Sequence, residues 1–154
     1  MKKFSVLLVA ILALMMLFVS CENEPKERVA TMKDGVIVSV LFEEASFFYD
    51  KVSVEGQKYL NVEYDSNTNI ATFKGFEVYQ PKDTLLVALN GTFSMKPNDK
   101  EKTVAYSLNL EDGTKYKDED HTLMANIVMN EEDDVVSYEI VLDGVILKDF
   151  VFGY

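Results

Sequence analysis

Hydrophobic and polar residues alternate with period two through much of this chain. Val104, Tyr106, Leu108 and Leu110 fall on one face against Ala105, Ser107 and Asn109, and Val136, Tyr138, Ile140 and Leu142 on one face against Ser137, Glu139 and Val141. Strands with one face in a core and the other in water carry this spacing. Five glycines follow an acid or asparagine between apolar runs: Asp34-Gly35, Glu55-Gly56, Asn90-Gly91, Asp112-Gly113 and Asp143-Gly144. Such pairs suit the two central positions of a type I′ turn, where φ is positive, so each predicts a tight reversal. Longer polar turns are expected at 65–69, 97–102, 116–120 and 130–134. After Pro25 no apolar stripe of helical period runs beyond about two turns. The best candidate is residues 43–48, and most of that also reads as strand. The expected fold is all-β, an antiparallel meander of about nine to eleven short strands whose curled sheet forms a barrel or a sandwich. The similar pieces ending at Gly56, Gly91 and Gly144 follow the grammar of any meander more than that of a true repeat.

The amino terminus follows a different pattern. Met1-Lys2-Lys3 precedes an apolar run, residues 4–19, in which Ser5 is the only polar residue. The run is shorter than the ~20 residues of a membrane span and ends at Ser20 without a basic stop, which fits a cleaved secretory signal. Phe18-Val19-Ser20-Cys21 resembles the lipobox of bacterial lipoproteins, in which signal peptidase II cuts before a diacylglycerol-bearing cysteine. Phe18 and Val19 stand where Leu and Ala or Ser are usual, with Leu17 one place early, so the box is closest to the looser spirochaete form. The resemblance implies a signal peptide over 1–20 and lipid attachment at Cys21, with acyl chains of the palmitate kind. Cys21 is the only cysteine, and a thioether there removes an unpartnered thiol from an oxidising compartment. Two or three acyl chains give stable attachment where one gives only marginal binding.

Removal of residues 1–20 leaves 134, enough for one domain that holds a core without disulfides. Thirteen basic residues then face 26 acidic ones, a net charge of −13. Such a domain repels nucleic acid and anionic membrane surfaces, so attachment to a membrane falls to the lipid. Residues 22–28, ENEPKER, are charged, contain a proline and lack apolar periodicity. They read as a tether, which with Cys21 spans 21–28 and leaves a single β domain over 29–154.

Candidate chemistry is sparse. His121, the only histidine, lies beside Asp118, Glu119 and Asp120, a sequence that invites a cation site or a carboxylate-steered base. It lacks a second histidine for zinc, calcium-loop spacing and any nucleophile motif, so the acids are expected to be solvated on an exposed turn. Residues 130–134, NEEDD, read the same way. No catalytic residue, metal ligand or cofactor is assigned, and an enzyme is not expected. Tyr59 and Tyr79 are candidates to face away from the core, and the sequon Asn90-Gly91-Thr92 reads as a hairpin turn. The terminal KDFVFGY resembles the last strand of outer-membrane β-barrels, but Lys148 interrupts the likeness and strands of about eight residues are short for a bilayer, so a closing core strand is expected. The expectation is a lipid-anchored protein of the bacterial envelope, at the outer membrane or cell surface rather than the inner membrane. Its β domain would bind a small apolar ligand or a protein partner, or else serve as a structural or assembly component.

Overall fold

A computed structural model describes residues 25–152 except Lys82. The expected signal peptide over 1–20 and the expected lipid-attachment residue Cys21 lie outside the described residues. Among those described, ten strands and one helix follow the chain order β1 (Lys26–Val29), α1 (Met32–Glu55), β2 (Val62–Asp65), β3 (Ile70–Gln80), β4 (Thr84–Asn98), β5 (Thr103–Leu110), β6 (Lys115–Tyr116), β7 (Glu119–Asp120), β8 (Leu123–Asn130), β9 (Val135–Leu142) and β10 (Val145–Lys148). The main sheet runs β1-β10-β9-β8-β5-β4-β3-β2, with the β6-β7 hairpin attached to β4. It is a curled all-β sheet that does not close into a barrel. All pairs are antiparallel except β1 with β10, so the sheet is mixed. Lys26 to Arg28, assigned to the tether because of their charge, pair with Val145 to Leu147.

The helix is the principal departure from expectation. Met32–Glu55 extends over 24 residues, a rod of about 36 Å, where the apolar pattern predicted strand and two reversals. Asp34-Gly35 is the first turn of α1 and Glu55-Gly56 is its end. Thr31 caps the helix in a reciprocal box: Asp34 N donates to Thr31 Oγ1 at 3.4 Å, while Thr31 N donates to Asp34 Oδ2 at 2.8 Å. Arg28 clamps the same carboxylate bidentately, at 2.6 and 2.9 Å. Gly56 stops the helix with φ of 64°, the left-handed conformation glycine adopts at low cost. Ile37, Val38, Leu41, Ala45, Tyr49 and Val52 form the buried stripe. Their burial outweighs the strand preference of the β-branched and aromatic residues around them.

The sheet curls around that stripe. Phe73, Leu89, Phe93, Leu108, Leu110, Leu123, Ile140 and Leu147 join the helix in one core. Phe93 meets Phe42 and Tyr49 at ring-centre distances of 5.7 and 5.1 Å. Asn90-Gly91 is a bend inside β4 rather than a hairpin turn. Gly91 has φ of 146°, and a Cβ there would lie 2.0 Å from the Asn109 carbonyl oxygen, so only glycine lets β4 and β5 approach. Across from it the β3 register shifts between Phe73 and Phe76, where Gly75 has φ of 61°. Such irregularities bend a sheet. Asp143-Gly144, by contrast, is a two-residue reversal between β9 and β10 with φ of 51° and 75°, as the type I′ reading requires.

Candidate functional site

β10 stops at Lys148, and Asp149, with φ of 53°, turns the chain across the end of β1 onto α1. Ala30 N donates to the Lys148 carbonyl at 2.8 Å, and Phe150 N donates to Tyr138 Oη at 3.0 Å. Phe150 is buried and packs against Phe152 with ring centres 5.0 Å apart and ring planes inclined by 60°. The expected closing strand therefore ends at Lys148, two residues before Phe150 and four before Phe152, and this aromatic pair packs on the core from an irregular segment. Val151, between the two rings, points out and is 84% exposed.

Between this segment and the outer side of α1 lies an open groove of about 520 Å³. Met32, Gly35, Val36, Ser39, Val40 and Glu43 form its helical wall, and Asp149, Phe150 and Val151 its other wall. Met32 is 89% and Val36 46% exposed. Helical positions advance by about 100° per residue, so Met32, Val36, Phe47 and Val54 fall roughly opposite the buried stripe as a second apolar row, interspersed with Ser39, Glu43 and Asp50, while Val40 beside it packs toward the core. A surface helix ordinarily presents polar residues on that side. Glu43 and Asp149 are the charged side chains lining the groove, and neither is in an ion pair among the described residues.

On the other flank of Val36 a groove of about 450 Å³ separates α1 from the β6-β7 hairpin. Of its charges Lys33 and Glu119 pair with each other, whereas Asp118 is in no ion pair among the described residues. Lys33 Nζ lies 2.9 Å from Glu119 Oε2 and holds that carboxyl below its ordinary range, and Lys117 sits 5.2 Å from the Tyr116 ring centre. At the far end of the outer stripe Lys51 lies 5.5 Å from the ring centres of both Phe47 and Tyr59.

His121 is not on an exposed turn. It is buried, with Nδ1 2.9 Å from Asp143 Oδ2, a carboxylate from the β9-β10 turn, and Nε2 3.7 Å from Oε2 of its sequence neighbour Glu119. Asp143 also accepts from Thr122 N at 2.9 Å, and His121 N donates to the Thr114 carbonyl at 2.9 Å. The imidazole thus pins the β6-β7 hairpin region to the β9-β10 turn. Asp118, Glu119 and Asp120 are exposed as expected, with Glu119 and Asp120 paired to Lys33 and Lys115. No three His, Cys, Asp or Glu side chains among the described residues are placed to hold a metal ion. Tyr79 is exposed and its hydroxyl donates to Glu77 Oε2, whereas Tyr59 is half-buried beneath Phe48. The NEEDD segment is a solvated turn, with Asn130 Oδ1 accepting from Glu132 N and Asp134 N.

The groove was not anticipated, because its helical wall was read as strand and turn. Thr31-Met32-Lys33-Asp34 ahead of an apolar run is a capping-box signal that marks the helix start. No helix among the described residues is long and apolar enough to cross a membrane. Compared with protein-family models, curated proteins and solved structures, the chain matches none.

Proposed function

We propose that this chain is a bacterial envelope lipoprotein, anchored through lipid on Cys21, whose β domain binds a protein partner through the outer face of α1. The apolar groove beside Met32, Val36 and Val151 carries the binding half of this reading, since exposed apolar surface gathered in a concavity marks interaction sites. A protein partner is favoured over a small ligand held inside the sheet because α1 fills the concave side with Leu41, Ala45 and Tyr49. A role in self-assembly through sheet edges is less well supported. The edge strands β1 and β2 are only four residues each and carry Lys26, Glu27, Arg28, Glu63 and Asp65, the short, charged form that discourages edge pairing. The domain has no assigned catalytic role, metal or cofactor.

The lipid half rests on the lipobox resemblance and has a direct test. Labelled fatty acid should enter the wild-type protein and be absent from Cys21→Ser. Equal labelling of the two, or a wild-type protein that stays out of the detergent phase on partitioning, would sink the anchor. The binding half is tested by whether groove-blocking changes at Gly35 abolish association with a partner while leaving anchoring unchanged.

A further inference from the structure

We infer that the groove between α1 and residues 149–151 receives a short segment of another envelope protein, one that carries Lys or Arg beside apolar side chains. This rests on the protein-binding reading above and adds the chemistry of the partner. Gly35 supplies the space. It sits in a helix, where glycine is disfavoured relative to alanine, and a Cβ built there meets nothing within 4 Å. Neither packing nor a positive φ requires glycine at this position; its effect is to leave the groove floor open. Met32, Val36 and Val151 give apolar walls, and the volume of about 520 Å³ is in the range that accepts a few side chains.

Charge selects among occupants. Glu43 and Asp149 border the groove without a basic neighbour in it, while the adjoining groove has Lys33 on Glu119 and the far end of the stripe has Lys51 over its own aromatic rings. Among the described residues, the Met32 end combines exposed apolar walls with two acids and no cation in its lining, whereas the adjoining groove, which also holds Asp118, carries Lys33 and Lys117. A cationic segment satisfies both properties. A second copy does not: an isologous contact brings the same acids together, and an antiparallel pairing of the outer stripes matching Met32 to Val54 sets Glu43 against Glu43. A bilayer surface does not fit either, because it would desolvate Glu43 and Asp149 at the groove mouth.

The test places a photo-crosslinking amino acid at position 32 of the full chain in the producing bacterium, followed by peptide mapping of the adducts. The expected adduct is a peptide of a different protein with Lys or Arg within about four residues of the linked apolar site. Its yield should fall at least about fivefold with Gly35→Trp and with Glu43→Lys combined with Asp149→Lys. Gly35→Ala, which leaves most of the groove open, should retain it. Retention of the helical circular dichroism signal in Gly35→Trp separates blocking from unfolding, and the charge variant tests the inference should Gly35→Trp fail to fold. Protein adducts lacking basic residues, or a yield unchanged by the charge variant, overturn the cationic partner while sparing the protein-binding reading. Adducts only to lipid, to a second copy or to residues 1–20, or none at all, overturn both.

Discussion

Along α1, Ile37, Val38, Leu41, Ala45, Tyr49 and Val52 are almost fully buried, whereas Met32, Val36, Phe47 and Val54, on the opposite side, stand in water. Both faces carry large apolar residues, the outer one interspersed with Ser39, Glu43 and Asp50, and they differ in what lies across from them. The inner face meets Phe73, Phe93 and Leu108 from a sheet bent by Gly75 and Gly91. Among the described residues, the outer face borders the irregular segment 149–151 and the β6-β7 hairpin at one end and its own Lys51 at the other. Hydrophobicity alone therefore does not assign a helix face to the core. The topology of the sheet decides which stripe is consumed by folding, and the other is left exposed.

This contrast can be broken most strongly on the inner face. In the chain lacking residues 1–20 and carrying Ser at 21, Leu41→Ala should cost about 2–5 kcal/mol by urea denaturation, the range for a large-to-small change in a packed core. Val36→Ala should stay within about 0.5 kcal/mol. Equal losses would show that the outer stripe is also structural. The next largest effect belongs to the cap that sets where both faces begin: Thr31→Ala should lower stability by about 0.5–2 kcal/mol.

Asp34 makes that cap pH-dependent. Hydrogen bonding to Arg28 is the main cause, with Thr31 adding to it, that holds the carboxyl well below the ordinary carboxylate range against the opposing effect of burial. A group with a depressed folded-state pKa stabilises above its unfolded value of about 3.9, and that contribution is lost as pH falls toward the folded one. The stability gap between wild type and Asp34→Asn should accordingly be full at pH 6 and narrow progressively below pH ~4. A gap constant to pH 2 would remove the carboxylate from the account. One change acts with the opposite sign: Gly35→Ala should stabilise by about 0.5–1 kcal/mol, because the added methyl meets open space in a helix.

The parts of the fold that were legible are those set by neighbouring residues. The alternation in 103–110 ends in buried Leu108 and Leu110, and Asp143-Gly144 makes the reversal that its dipeptide signals. The second alternating run holds for Ile140 and Leu142, while Val136 and Tyr138 emerge from the core. The helix was hidden for a physical reason. Apolar residues lie on both of its faces, so no single stripe of period 3.6 stands out, and Val36, Ile37, Val38 and Val40 carry strand preference. Asn90-Gly91 misled because glycine also serves close backbone approach, which depends on Asn109, a residue distant in sequence. His121 likewise takes its partner, Asp143, from 22 residues away, a pairing no local motif records. Of the candidate site, Thr31 and Asp34 were readable as a cap, whereas the groove arises only when residues 149–151 fold onto α1.

The claim that the outer face of α1 is an occupied surface is tested most directly by thiol protection. Cys21 is the chain's only cysteine, and with lipid on its sulfur a cysteine introduced at Val36 becomes the sole reactive thiol. Val36→Cys should react with a membrane-permeant maleimide at least about tenfold more slowly in producing cells than in the purified lipid-bearing protein, a difference on the scale of one stable contact. Leu60→Cys, beyond the end of α1 and 84% exposed, should react equally in both settings. Equal reactivity of Val36→Cys in cells and in the purified protein would show the groove to be empty and contradict the account.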